Sequence, residues 1–123
     1  MNTAKQIDHI NMIVPNLEKA LAWYTHNLGF NVTGRFSQGG FEIIYLSNGS
    51  ITYEMFENAS LDSPVIDHIA YVSKDIEADH AYYVSQGLQV TPITYIDFVW
   101  DNGADFFFIT GVGGEKVELL KNR

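Results

Sequence analysis

The tetrapeptide Ile-Asp-His-Ile stands at residues 7–10 and again at residues 66–69, fifty-nine positions later in a chain of 123 residues. When residues 7–24 are aligned with residues 66–83, seven of the eighteen positions are identical. A chain of this length has room for one ordinary domain. The sequence therefore predicts one domain, residues 1–123, built from two related modules at about 5–57 and 65–123, with a linker at about 58–64.

Both modules predict the same order of elements. Runs rich in Ile and Val are typical of strands, and each first run is followed by a helix N-cap residue, Asn16 or Asp75. Gly29 and Gly87 then stand where helices end. The remaining strands are predicted at 31–37, 41–47 and 51–57, and near 90–96, 98–101, 104–110 and 116–121, although the run 90–100 also fits a strand followed by a loop. The order βαβββ in each module predicts an α+β fold.

Composition excludes several classes of function. The net charge of −8, with only seven Lys and Arg residues, argues against a nucleic-acid partner. The absence of cysteine excludes a thiol nucleophile, a thiolate zinc site and an iron–sulfur cluster. No stretch approaches the roughly 20 apolar residues of a membrane helix. Residues 1–6 lack the apolar core of a signal peptide, so we expect a cytoplasmic protein.

Two histidines and two glutamates recur at equivalent places. His9 and His68 lie in the first strand of each module, and Glu54 and Glu118 lie in the last strand among apolar residues. Burying a carboxylate there without a partner is unfavourable. A single strand histidine is more often a core or surface residue than a ligand, but recurrence of the pair favours a metal site. Nitrogen and oxygen ligands suit Zn, Ni, Co, Mn or Fe(II).

Strand alternation predicts the surroundings of this site. The same faces carry a mixture of polar and apolar side chains, which predicts a substrate pocket that includes Asn11, Thr52, Phe56, Ala70 and Phe108. In the run 106–108, alternation places the middle ring opposite its neighbours, which favours a core position for that ring. The remaining histidines, His26 and His80, lie on helices and are interpreted as solvated.

Three stretches resemble the vicinal oxygen chelate superfamily of glyoxalases, bleomycin resistance proteins and dioxygenases. They are IDHINMIVPNLEKALAWYTHNLGF at 7–30, PVIDHIAYVSKDIEADHAYYVSQGLQV at 64–90 and GGEKVELL at 113–120. The resemblance covers nearly the whole chain. It implies a glyoxalase-like fold in which the two modules form a curved mixed sheet around a metal-binding cleft, with ligands His9, Glu54, His68 and Glu118.

The four ligand types match those of lactoylglutathione lyase. The related methylmalonyl-CoA epimerase tends to carry glutamine at the position of Glu54, fosfomycin thiol transferases use two histidines and one glutamate, and bleomycin-binding members lack the ligands. The resemblance thus implies a lyase or isomerase acting on a small substrate with adjacent oxygens, such as a thiol hemithioacetal of a 2-oxoaldehyde, through an enediolate. Glu118 would be ligand and general base, with Glu54 as its counterpart. The alternatives are a non-catalytic drug- or metabolite-binding protein and a dioxygenase.

Two further positions bear on the substrate, and one feature bears on assembly. Ile13 stands where the lyase has an arginine that holds glutathione, whereas Asn58 matches a glutathione-contacting asparagine. We therefore include both residues in the predicted pocket and expect weak activity with glutathione adducts. Exposed strand edges need covering, and relatives commonly close their clefts by pairing chains, so we expect a homodimer.

Overall fold

The computed structural model describes residues 4–123 and contains the element order βαβββ twice, which confirms the predicted α+β fold. The elements are β1 (Ile7–Val14), α1 (Leu17–Leu28), β2 (Asn31–Gln38), β3 (Phe41–Ser47), β4 (Thr52–Glu57), β5 (Val65–Val72), α2 (Ile76–Ser85), β6 (Thr94–Ile96), β7 (Ala104–Thr110) and β8 (Lys116–Asn122). The expectation for the N-terminus rests partly on residues 1–3, which lie outside the described range. Neither helix has the length and apolar character needed to cross a membrane.

The described chain forms two compact units. The first unit is His9–Asp67, and the second joins the residues up to Asp8 with His68–Arg123. The strand order is β2-β3-β4-β1 in the first unit and β5-β8-β7-β6 in the second. In each unit the first strand of the module pairs in parallel with the last, and the remaining pairs are antiparallel. The parallel pairs set each predicted histidine strand beside its predicted glutamate strand.

Helix α1 forms the core of the first unit with its sheet. Asn16 caps the helix by accepting a hydrogen bond from the Lys19 N–H at 3.0 Å, and Gly29 ends it at φ 71°, where a glycine is favoured. The helix buries Leu17 and Leu21, and they pack in one cluster with Met12, Val14, Phe30, Ile44, Leu46 and Met55. This apolar cluster fixes the helix on one face of the sheet.

The second unit has the same design with a smaller buried cluster. Asp75 caps α2 by accepting a hydrogen bond from the Ala78 N–H at 3.0 Å. The cluster contains Ile76, Phe107 and Leu119, which confirms that the middle ring of the run 106–108 is a core residue.

Each helix also places a tyrosine against its sheet. Burial raises the pKa of the Tyr83 hydroxyl, and of its counterpart Tyr24 in the first unit.

Two sequence predictions in the second unit are wrong. Residues 98–101 form no strand, because the chain bends there: Gly103 N–H donates to the Val99 carbonyl at 3.0 Å, and Trp100 has φ 52°. Val99 is buried in this loop, so its apolar character reflects packing rather than strand pairing. His80 is only partly exposed, because its Nε2 lies 2.9 Å from the Thr91 carbonyl oxygen and its ring packs against Phe107.

Candidate functional site

The first unit brings His9 and Glu54 together. The parallel pairing of β1 and β4 sets Asn11 opposite Glu54, and His9 lies two residues earlier on the same face of β1. The Nε2 atom of His9 lies 3.3 Å from Oε1 of Glu54. Both side chains are buried, with 0% and 6% of the residue surface exposed. The structure therefore places this predicted pair in direct contact inside the unit.

Two further side chains hold the Glu54 carboxylate. Asn11 Nδ2 donates a hydrogen bond to Oε1 at 2.9 Å, and the Tyr45 hydroxyl donates to Oε2. The Tyr45 ring also packs edge-on against the His9 ring, with 5.7 Å between centroids. Because each carboxylate oxygen accepts a hydrogen bond from a different strand, the orientation of Glu54 is fixed.

The second unit repeats the His–Glu contact. His68 Nε2 lies 2.8 Å from Oε1 of Glu118, and both residues are buried. The Phe108 ring packs edge-on against the His68 ring, with 5.0 Å between centroids. The repeat seen in the sequence therefore extends to the geometry of the pair and to the aromatic ring beside its histidine.

The two glutamates differ in the neighbours that their strands supply. Asn11 and Tyr45 lie opposite Glu54, whereas the same register positions beside Glu118 hold Ala70 and Phe108. Alanine and phenylalanine side chains carry no polar hydrogen. The hydrogen-bond donors that orient Glu54 therefore have no equivalent at these two positions of the second unit.

The chemistry of these side chains fits a divalent metal ion. His9, His68 and Glu118 are buried side chains of the types that ligate metals, and Glu54 adds a buried carboxylate. Imidazole nitrogens and carboxylate oxygens are ligands for Zn, Ni, Co, Mn and Fe(II). Buried carboxylates also need compensation for lost hydration, which a cation supplies.

The predicted pocket residues of the first unit have different environments. Asn11 is fully buried, and within residues 4–123 its Oδ1 atom accepts no hydrogen bond. Thr52, Phe56 and Ile13 are partly buried, and Ile13 lies opposite Phe56 across β1 and β4. Asn58 is exposed, and its side chain accepts a hydrogen bond from the Ser60 N–H at 3.0 Å, so it stabilises a turn.

The sequence analysis missed Tyr45 as a functional residue. The signal that could have found it is the Asn48-Gly49 turn, because that turn sets Ser47 opposite Thr52. Counting back along the antiparallel pair then places Tyr45 opposite Glu54.

The predicted pocket residues of the second unit lie beside its His–Glu pair. Ala70 is fully buried beside Glu118, and Phe108 is partly buried against His68.

Comparison with known proteins identifies the family. Residues 6–119 match the model of the Glyoxalase/Bleomycin resistance protein/Dioxygenase superfamily. The chain belongs to this superfamily. The match spans both modules and includes all four of the predicted ligand residues. Members of this superfamily are commonly metal-dependent enzymes, which agrees with the resemblance drawn from the sequence.

Individual relatives agree with this membership. The Bacillus subtilis protein YwbC, described as uncharacterised, is 26% identical over an alignment of 133 positions that covers 96% of this chain and 98% of that protein. The crystal structure of methylmalonyl-CoA epimerase from Mycobacterium tuberculosis superposes with a TM-score of 0.82 at 20% identity, covering 100% of this chain and 93% of the epimerase. A methylmalonyl-CoA epimerase in complex with methylmalonyl-CoA gives a TM-score of 0.77 at 21% identity, covering 96% and 94% of the two chains. These structures share the fold of the superfamily member described here.

Proposed function

We propose that this superfamily member is a metal-dependent lyase or isomerase of the glyoxalase type. It would move a proton on a carbon next to a carbonyl group, in a small substrate with adjacent oxygens. The observation that carries the proposal is the unequal environment of two equivalent glutamates. Glu54 accepts hydrogen bonds from Asn11 and Tyr45, whereas alanine and phenylalanine occupy the same positions beside Glu118.

The proposed metal ligands are His9, Glu54, His68 and Glu118. Each unit contributes one buried histidine whose Nε2 already lies 2.8 or 3.3 Å from a glutamate oxygen. The all-nitrogen and oxygen donor set suits Zn, Ni, Co, Mn or Fe(II). Bound there, a divalent ion supplies Lewis acidity that stabilises negative charge on a substrate oxygen.

The proposed catalytic roles follow from the two carboxylate environments. Glu54 is the fixed carboxylate, because two strands hold both of its oxygens. Glu118 is the proposed general base, as the resemblance to the lyase implies, and the side chains opposite it on its two neighbouring strands, Ala70 and Phe108, carry no polar hydrogen. Asn11 Oδ1 is a buried acceptor that can receive a hydrogen bond from a substrate hydroxyl.

The substrate class follows from chemistry that two related reactions share. A glyoxalase and an epimerase both remove a proton from a carbon beside a carbonyl and return one. The candidates are therefore a thiol hemithioacetal of a 2-oxoaldehyde and, from the solved epimerase complex with methylmalonyl-CoA, an acyl-CoA thioester. Ile13 offers no charge for a glutathione carboxylate, so other thiol adducts or thioesters would serve better than glutathione.

The test is deuterium exchange at the reacting carbon. Protein loaded in turn with each metal is incubated in D₂O with methylglyoxal and glutathione, with methylglyoxal and other small thiols, and with methylmalonyl-CoA. Nuclear magnetic resonance then follows deuterium entry at the carbon next to the carbonyl. We expect metal-dependent exchange with at least one substrate, and loss of that exchange in Glu118→Gln.

Two results would count against this function. Absence of exchange with every substrate, together with tight binding of a planar drug, would favour a sequestering protein that does not turn over its ligand. Consumption of oxygen with a catechol by the Fe(II)-loaded protein would favour a dioxygenase. The fourth proposed ligand argues against that chemistry, because such enzymes commonly use two histidines and one carboxylate.

A further inference from the structure

We propose that Lys116 binds an anionic group of the substrate, a carboxylate or a phosphate, beside the general base. This inference rests on the proposed function, because it assigns the substrate class of the same site. No residue of the metal set or of the predicted pocket is a cation, so Lys116 adds a kind of interaction that those residues lack.

Lys116 lies close to the proposed general base on the same strand. It begins β8 and lies two residues before Glu118, so both side chains extend from the same face of the strand. Two residues of strand place the two backbone positions about 7 Å apart. The register also sets Thr110 opposite Lys116 and Phe108 opposite Glu118. A substrate whose reacting carbon lies at Glu118 and whose next few atoms follow β8 towards its start would place those atoms beside Lys116.

The Phe108 ring connects Lys116 with a proposed metal ligand. The Lys116 ammonium nitrogen lies over the Phe108 ring, 5.0 Å from its centroid. The same ring packs edge-on against His68 at 5.0 Å between centroids. One aromatic side chain therefore contacts both the lysine and a proposed metal ligand. The cation–π contact is one of the interactions of Lys116, and it places the ammonium group beside the ring that packs against His68.

A cavity provides the space for the group that would bind. Its volume is about 360 Å³, and its lining includes Lys116, Phe108, Thr91 and Thr110. The Thr91 hydroxyl oxygen already accepts a hydrogen bond from the Phe108 N–H at 2.8 Å, which fixes one wall. A cation and threonine hydroxyls around an open cavity suit an oxyanion, because all of them can donate hydrogen bonds to it.

The first unit has no positive charge at the position equivalent to Lys116. The residue two before Glu54 in the first unit is Thr52, which is neutral. Thr52 lies opposite Ser47, whereas Lys116 lies opposite Thr110. The two units thus resemble each other in the His–Glu pair and differ in charge beside it. The net charge of −8 opposes the approach of an anion, so a local cation would decide whether an anionic substrate binds.

The substrate class is therefore a small molecule with adjacent oxygens at the reacting centre and a carboxylate or phosphate a few atoms away. The probes are the monohydroxamate of succinic acid, its methyl ester, and the analogue in which a phosphonate replaces the carboxylate. All three present the same pair of chelating oxygens and differ only at the other end, which is a carboxylate, a neutral ester or a phosphonate. Their dissociation constants are measured by titration calorimetry on the metal-loaded protein.

We expect the acid or the phosphonate to bind wild-type protein about tenfold more tightly than the ester, as a charge-assisted hydrogen bond would give. The tighter of the two anions identifies the group that the site prefers. Lys116→Met should abolish the preference, Lys116→Arg should retain most of it, and Lys121→Met, which removes an exposed lysine farther along β8, should leave it unchanged.

Three outcomes would overturn the inference, and they separate it from the proposed function. If all three probes bind with equal affinity in a metal-dependent manner, the metal site stands and the role of Lys116 is wrong. The same conclusion follows if the preference for an anion survives in Lys116→Met. If no probe binds the metal-loaded wild-type protein, the proposed site and the inference fail together.

Discussion

The Tyr45 hydroxyl donates a hydrogen bond to Glu54 from the neighbouring strand, whereas Phe108, which has no hydroxyl, occupies the same register position beside Glu118 in the second unit. The two units keep the His–Glu pair and the aromatic ring but differ by one oxygen atom at this place. The side chains opposite Glu54 on its two neighbouring strands therefore orient this carboxylate, whereas those opposite Glu118 carry no group that donates a hydrogen bond.

Removing that hydroxyl should weaken metal binding. Tyr45→Phe leaves the ring against His9 but removes one of the two donors to Glu54. We expect metal affinity to fall about tenfold, since loss of a partner that orients a ligand commonly has an effect of this size. Competition with a chelator of known affinity measures it. Tyr53→Phe removes a hydroxyl from the same unit's apolar cluster and should leave the affinity unchanged; equal effects of the two variants would contradict the assignment.

The two glutamates should respond differently to amide substitution. Glu118→Gln should retain the fold and much of the metal but lose at least about a hundredfold in turnover, because glutamine offers an oxygen ligand but accepts no proton at neutral pH. Glu54→Gln should retain more activity, because its proposed role is to hold the metal. Steady-state kinetics on the substrate found by deuterium exchange, with metal content measured for each variant, compares them. A larger loss of turnover in Glu54→Gln would reverse the two roles.

The stability of the first unit should depend on its apolar cluster. Met55 is fully buried there, so Met55→Ala should lower the free energy of unfolding by about 2–5 kcal/mol. Val32→Ala, at a side chain 45% exposed, should change it by less than about 0.5 kcal/mol. Urea unfolding of both variants in the presence of a chelator gives the comparison without a contribution from metal. A loss below 1 kcal/mol for Met55→Ala would mean that this cluster does not hold the unit together.

We expect a homodimer in solution. Helix α1 exposes large apolar side chains, with Trp23 54% and Leu28 52% exposed, and such residues suit an apolar interface built partly from this helix. Light scattering at micromolar concentration should give twice the chain mass of 13.9 kDa. Trp23→Glu should shift the protein towards the monomer, while Trp100→Glu, which replaces an exposed tryptophan outside the helices, should not. A wild-type mass of one chain would exclude the dimer.

The sequence predicts most of the fold because local signals and the repeat agree. Asn16 and Gly29 mark the ends of α1 by chemistry that acts within a few residues. The prediction of a strand at 98–101 was wrong because a buried loop residue such as Val99 has the same apolar character as a strand residue. Whether such a residue packs or pairs depends on distant parts of the chain, which a local pattern does not contain.

The residues of the candidate site also fall into those that the sequence predicts and those that it does not. The His–Glu pairs are visible in the sequence because they recur at equivalent positions. Tyr45 and Lys116 are not visible in that way, because neither has a counterpart of its own type in the other module. Their proposed roles depend on the register that sets Tyr45 opposite Glu54 and on the contact between Lys116 and the Phe108 ring. Residues that have no counterpart in the other module can therefore be interpreted only with the structure.

The proposed function requires that both His–Glu pairs ligate one divalent metal ion, and metal analysis is the test. Protein purified without chelators and without a nickel column is dialysed and analysed by mass spectrometry of the elements, together with His9→Ala, His68→Ala and the control His26→Ala on the exposed side of α1. We predict about one divalent ion per chain in the wild type and the control, and a sharp loss in both other variants. Full metal content in His9→Ala and His68→Ala, or no metal in the wild type after incubation with each candidate ion, would rule out this metal centre.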